Sequence, residues 1–368
     1  MLAAFAAALA ATVDWVALPI AAYNSDDGFA GGAVVRVQWL GDRQPYGAML
    51  GAQVLFSTAG VQSHYLSLDV PGLLGTGVRL RLAAAFRKEV SAPYYGIGND
   101  SSDALTDHPG LAGDHPFAYA RKYPEGIVAV TIPLADAALR LSTFARYLRL
   151  SVDPYAGSLL AQERPLGVEG GQELSYGVGL LLDRRDKEVA PSGGYVLEAA
   201  LRGAVSGVAS RYSYGGATVR ALGFVPVGER IVLAARLEGD LLTPGAPLFE
   251  LSRFGGVDPI EGVGGERSVR GIPRARYIGR AKALASGELR VRMLDPRILD
   301  RAASMSLVAF YDTGRVWELR GHDGSFFDFH SGVGGGLRVD RKNTVLRFEV
   351  GTSHDRAFNL YVTLGSSF

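Results

Sequence analysis

The residues best placed to do chemistry are four arginines in one glycine-rich stretch, Gly262–Gly279, which reads GVGGERSVRGIPRARYIG. Arg267, Arg270, Arg274 and Arg276 are permanent cations, and a guanidinium pairs with carboxylates through short, directional hydrogen bonds. Gly262, Gly264 and Gly265 precede Arg267, and Gly271 follows Arg270. The chain can therefore turn back in a tight hairpin with Val269, Arg270 and Gly271 at its tip. A cationic loop of this shape needs an anionic place to dock. The chemistry expected is ion pairing, not bond making.

Carboxylates that could receive it lie just downstream. In ALASGELRVRM, Ser286, Glu288, Arg290 and Arg292 alternate with apolar Leu289, Val291 and Met293. In MSLVAFYDTGRVW, Met305, Leu307, Ala309 and Tyr311 share one face, which leaves Asp312 on the other. A period of two is the strand signature, so two neighbouring strands aim a carboxylate inward. The next segment offers Gly332, Gly334 and Gly336 on that inner face, with room for a loop to lie against the wall. Arg270 then pairs with Glu288 and Asp312. The other reading of these residues is a solvated outer loop and two acids that line a polar pore.

Other chemistry finds little support. His64, His108, His115, His322, His330 and His354 show no metal-ligand spacing, although His108 and His115 share a loop with Asp107 and Asp114. His330 faces inward and Ser331 outward, so a Ser–His hydrolase would need partners across strands. Gly262–Gly265 is followed by no helix and is no phosphate loop. The expectation is a protein that is not an enzyme and uses no cofactor or metal. A net charge of +1 leaves no general nucleic-acid footprint. The absence of cysteine excludes disulfides and thiolate chemistry, and suits a cell envelope.

The elements that must position these residues are strands throughout. Ala33, Val35, Val37 and Trp39 alternate with Val34, Arg36 and Gln38, and the same pattern returns at Ile231–Glu238, Leu346–Val350 and Asn359–Leu364. The expected strands are Val13–Tyr23, Phe29–Trp39, Tyr46–Ser57, Gln62–Asp69, Val78–Lys88, Gly126–Pro133, Ala138–Asp153 and Ser175–Arg184. The second half reads Tyr195–Gly207, Ser210–Val225, Arg230–Leu241, Leu284–Met293, Met305–Tyr311, Phe329–Val339, Thr344–Thr352 and Phe358–Phe368. That makes about sixteen, of the roughly ten-residue length that tilted membrane-barrel strands need. Short connections such as Pro226–Glu229 alternate with long ones such as Leu242–Ala283. Short turns at one rim and long loops at the other suit an all-β, sixteen-stranded antiparallel transmembrane barrel, with both termini at the short-turn rim. A soluble propeller or sandwich alternates too, but seldom with loops so unequal. Trp15, Trp39, Tyr46 and Trp317 fit aromatic girdles. No linker divides residues 13–368, and residues 1–12 read as an apolar tail or the remnant of a signal segment.

These motifs, taken together, resemble a family. Val269-Arg270-Gly271 in a long loop, Gly287-Glu288-Leu289 on the next strand, and Phe310-Tyr311-Asp312-Thr313-Gly314-Arg315-Val316-Trp317 on the one after are similar to the BamA/TamA-like barrels, also called the bacterial surface antigen family. Asp183-Arg184-Arg185-Asp186 with Pro191-Ser192-Gly193-Gly194 looks like the turn before that family's ninth strand. The resemblance implies an integral, multi-pass protein of the bacterial outer membrane, with its sixth outer loop tucked into the lumen. It implies that Arg270 is locked to Glu288 and Asp312, with Phe310, Gly314 and Trp317 as the wall motif.

It also implies protein insertion or translocation through a weak seam between first and last strands, marked here by Pro19, Ala21, Leu360 and the terminal Phe368. Pro19 cannot donate to a ladder, and Gly365-Ser366-Ser367 forms strand poorly. Ordinary fraying of chain ends would look the same. The implied partners are outer-membrane lipid, unfolded outer-membrane protein clients and a separate periplasmic protein, with no nucleic acid. The departure is that the first expected strand begins almost at the start of this sequence, which leaves no room in it for a periplasmic POTRA module: the expectation is either a barrel-only member or a chain whose upstream part lies beyond this sequence. A passive pore or structural barrel without insertase activity is the alternative.

Overall fold

The computed structural model describes residues 12–24, 28–41, 45–134, 138–298, 301–318, 323–341, 343–355 and 358–365. The expected tail at residues 1–12 falls, apart from Thr12, outside them, as does Phe368. The described chain forms one sixteen-stranded antiparallel sheet in sequence order. Its strands are β1 (Thr12–Asn24), β2 (Gly28–Leu40), β3 (Ala48–Ser57), β4 (Gln62–Val70), β5 (Arg79–Pro93), β6 (Ala118–Pro133), β7 (Leu139–Pro154) and β8 (Gly171–Asp183). The rest are β9 (Gly194–Ala204), β10 (Tyr214–Val227), β11 (Ile231–Leu242), β12 (Ala281–Leu294), β13 (Ser304–Trp317), β14 (His330–Arg341), β15 (Thr344–Ser353) and β16 (Asn359–Leu364).

The two faces of the sheet are inverted relative to a protein in water. On β11, Leu233, Leu237 and Leu241 are exposed, while Ala234, Arg236, Glu238 and Asp240 are buried. Interior positions are rich in arginine and carboxylate, and exterior ones in leucine, valine and phenylalanine. This is an outer wall for lipid around a polar lumen. The long connections 94–117, 155–170, 243–280 and 318–329 share one rim. The opposite rim carries short turns such as 228–230.

The expected bounds of β6 and β13, and the place given to Tyr46, need correction. β6 begins at Ala118 and not near Gly126. Its inner face carries Tyr119, Arg121, Tyr123 and Glu125, a polar set that hides the alternation of a strand facing a wet lumen. β13 runs on through Asp312 to Trp317, so the whole wall motif is strand and not loop. β16 runs to Leu364 and Gly365 after it has a φ of +121°, while the expected end of this strand at Phe368 lies outside the described residues. Tyr46 is no girdle residue: it is buried, and its hydroxyl donates to Asp69 Oδ2 at 2.8 Å. Trp15, by contrast, is exposed on the outer wall.

Candidate functional site

Register decides which inner-face residues meet. Across β12, β13, β14 and β15, Ser286, Asp312, Gly332 and Ser353 form one row. The next row toward the short-turn rim reads Glu288, Phe310, Gly334 and Gly351, and continues to Asn359 on β16. Below it Gly336 opposes Glu349, which opposes Tyr361 of β16. Asp312 and Glu288 are therefore diagonal neighbours, spaced for one guanidinium to reach both.

The loop between β11 and β12 delivers that guanidinium. A bridge between Val263 and Tyr277 closes the hairpin, and Ile272 N–H donates to the Val269 carbonyl at its tip. Arg270 Nε donates to Asp312 Oδ2 at 2.7 Å and Nη2 to Asp312 Oδ1 at 3.0 Å, a two-pronged bond. Its Nη1 donates to Glu288 Oε1 at 2.8 Å and to Glu349 Oε2 at 3.2 Å. The Phe310 ring lies 3.6 Å from the guanidinium carbon, and Gly334 behind it leaves the ring its space. Burial works against the charge on Arg270, but Asp312, then Glu288 and Glu349, more than offset it and raise its pKa. Arg270 is 1% exposed and Asp312 0%. Among the arginines of the wall, Arg290 and Arg338 also donate to Glu288, while Arg338 and Arg347 donate to Glu349.

The structure thus brings Arg270, Glu288 and Asp312 together. Val269 is fully buried and sits over Gly314, where a Cβ would come within 3.0 Å of the valine Cγ2. Gly271 has a φ of +98°, a backbone shape that favours glycine. Of the three inner glycines only Gly332 lies against the loop backbone; Gly336 instead makes room for Glu349. Trp317 stands apart from the lock, packed on Phe326 and Phe329. The other loop arginines dock elsewhere: Arg267 on Asp258, Arg274 on Glu89 and Glu261, Arg276 on Ser101. His330 stacks on Tyr277 with centroids 3.6 Å apart, His108 packs on Phe117 and His115 on Tyr155.

Sequence reasoning missed three parts of this site. Glu349 is a third acid under Arg270, and its alternation with Phe348 and Val350 was there to find. The last strand also holds the loop tip. Gly271 N–H donates to the Tyr361 hydroxyl at 3.0 Å, and its carbonyl accepts from Asn359 Nδ2 and Ser353 Oγ at 2.8 Å each. The third part is a second anchor of opposite polarity. Glu250, on the short helix α1 (Leu248–Leu251) of the same loop, accepts from Arg146 of β7 at 2.7 Å and Arg202 of β9 at 3.4 Å. So a loop acid meets wall arginines near the loop's start, and a loop arginine meets wall acids at its tip.

Burial tends to raise the Glu250 pKa, but Arg253, Arg146 and Arg202 outweigh it and hold the carboxyl below its ordinary value. Its stabilisation is then complete above the ordinary carboxylate range and lost as pH falls through the depressed pKa. Acidification is expected to lower the urea midpoint of the parent more steeply than that of Glu250→Gln. Equal slopes would remove Glu250 as an anchor.

The model of the Omp85 superfamily domain matches residues 115–368. Nothing among curated proteins matches the chain in sequence. Solved structures share its fold at low identity. BamA from Haemophilus ducreyi lacking POTRA domains 1–3 aligns at 14% identity and a TM-score of 0.56, over 96% of this chain and 69% of that one. CdiB from Escherichia coli aligns at 14% and 0.58, over 96% and 61%, and CdiB from Acinetobacter baumannii at 14% and 0.51, over 93% and 62%. The chain spans less than two thirds of either CdiB. It carries an inward-folded, arginine-tipped loop, and the domain match covers most of its length: this chain belongs to the Omp85 superfamily.

Proposed function

We propose that this barrel inserts proteins into, or translocates them across, the bacterial outer membrane through a seam between β1 and β16. The observation that carries the reading is where the plug loop ends. Its tip is hydrogen-bonded to the inner face of β16, one of the two strands at the ends of the sheet, through Gly271 with Asn359 and Tyr361. Loop position and the state of the last strand are thereby coupled. Such a device has no catalytic group and needs no cofactor. It works by thinning the bilayer locally and offering a strand edge, which templates pairing with an incoming strand. Its clients are unfolded outer-membrane proteins, a separate periplasmic protein brings them, and outer-membrane lipid is its immediate surrounding.

Pro19 and Ala21 on β1 and Leu360 on β16 point to the outer wall. Cysteines at Ala21 and Leu360, or at neighbouring register pairs, would form the only disulfide in a chain without native cysteine. Locking the seam is expected to abolish client insertion into vesicles, and reduction to restore it. A locked protein that works as well as the open one would leave the seam structural only.

The second reading, a passive pore, draws on a cavity of about 810 Å³ beside the loop, lined by Arg87, Arg121, Tyr123, Arg267 and Tyr361 among others. Steady, ion-selective single-channel current would favour it over the small, flickering current of a plugged barrel.

A further inference from the structure

We propose that Lys88, Lys122 and Arg149 form a docking site on the outer wall for the phosphate groups of anionic lipid in the outer leaflet. Lys88 of β5 and Lys122 of β6 are direct cross-strand partners, and Lys122 in turn opposes Ser151 of β7. Arg149 lies two residues from Ser151 on the same face of β7. That face is the lipid-facing one. It also carries Leu82 of β5, Val128 of β6 and Tyr147 of β7, all exposed. The opposite face of the same strands holds the lumen pair of Arg121 with Glu89 at 2.8 Å.

Like charges placed directly opposite each other destabilise a sheet unless an anion lies between them. Among the described residues no acid lies within ion-pair distance of Lys88, Lys122 or Arg149. The nearest in register is Asp153 of β7, diagonal to Lys122 and one step nearer the long-loop rim. It balances at most one of the three cations. The arginines of the lumen are treated quite differently, each buried one meeting a carboxylate or a carbonyl where its partners are described.

Height decides what can reach the patch. Lys88 lies roughly nine residues from the short-turn end of β5, Arg149 about ten from that of β7 and Lys122 about eleven from that of β6. At about 3.3 Å per residue and a tilt near 40°, all three stand roughly 23–28 Å above that rim. The apolar band of such barrels is about 25 Å tall, so the patch stands at its upper edge. Cations there carry their charge at the level of the headgroups while their stems lie along the wall. A site embedded at that depth is reached from the side by lipid. The chemistry that complements three cations is an anionic headgroup with more than one phosphate. The inference holds whether the barrel inserts proteins or only conducts ions.

The test uses the full chain in neutral detergent micelles and native mass spectrometry. The probes are a bisphosphorylated glycolipid, the zwitterionic lipid phosphatidylcholine and inorganic phosphate. The parent is expected to retain the glycolipid in preference to phosphatidylcholine. Each cation at an anionic lipid surface is worth about fivefold in binding, so Lys88→Gln with Lys122→Gln and Arg149→Gln should lower retention on the order of 100-fold. Lys88→Arg with Lys122→Arg should keep it. If the triple variant does not fold, Lys122→Gln alone, at an exposed position, should still lose about fivefold. Equal retention of the two lipids by the parent would overturn the site. So would undiminished retention in the Gln variants, or displacement of the glycolipid by millimolar inorganic phosphate, which would reduce the patch to an ion site.

Discussion

Arg270→Ala is expected to destabilise the folded barrel by about 3–5 kcal/mol, the usual result of removing one partner from a buried ion pair. The loss falls mainly on Asp312. Glu288 retains Arg290 and Arg338, and Glu349 retains Arg338 and Arg347. Among the described residues, both side-chain bonds that Asp312 accepts from a cation come from Arg270. Two consequences follow from that asymmetry. Adding Asp312→Ala to Arg270→Ala should recover part of the loss, since no buried carboxylate is then left unpaired. Arg270→Lys should recover little, because a single ammonium cannot grip both oxygens of Asp312 and also reach Glu288. The urea midpoint, together with mobility on unheated gels, reads all four proteins. An Arg270→Ala barrel with the parent's midpoint and heat resistance would show that the lock contributes nothing to the fold.

The second large effect is steric. A Cβ at Gly332 would lie 1.9 Å from the carbonyl oxygen of Arg270, backbone against backbone, with no flexible side chain to move aside. Gly332→Ala is therefore expected to expel the loop tip from the lumen, at a cost above the ordinary 1–3 kcal/mol of overpacking. Trypsin would then cut after Arg270, which the parent buries completely, and channel current would rise as the plug moves. Gly287→Ala is the control. It lies on β12 beside Glu288, and an added Cβ there meets nothing within 4 Å. Protection of Arg270 in Gly332→Ala equal to that in the control would overturn this account of the wall.

The two experiments separate charge from shape. Arg270→Ala leaves the cradle intact and removes the charge, whereas Gly332→Ala leaves every charge and removes the space. If the tip sets the state of β16 through Gly271, both should also change seam behaviour in the disulfide test, by different routes.

Much of this was legible in the residues alone. Alternation is a local property, and each strand long enough to cross a bilayer carries its own record of which side faces lipid. Glu288 and Asp312 could be assigned to the inner face for that reason, and the four arginines in a glycine-shaped loop required an acidic dock. Over Ala118–Glu125 the alternation of β6 is not legible in the residues, because a wet lumen permits Tyr, Arg and Glu where a dry core would show apolar residues. The tertiary structure alone decided the rest. Register across five strands puts Glu349, Asn359 and Tyr361 under a loop tip some eighty to ninety residues earlier in sequence. The same holds for Glu250 among arginines from β7 and β9, and for the lysines that oppose each other on the outer wall. Period two specifies a face but carries no record of which strand lies beside which, or at what height. Those contacts exist only once the sheet has curled and its rows have aligned.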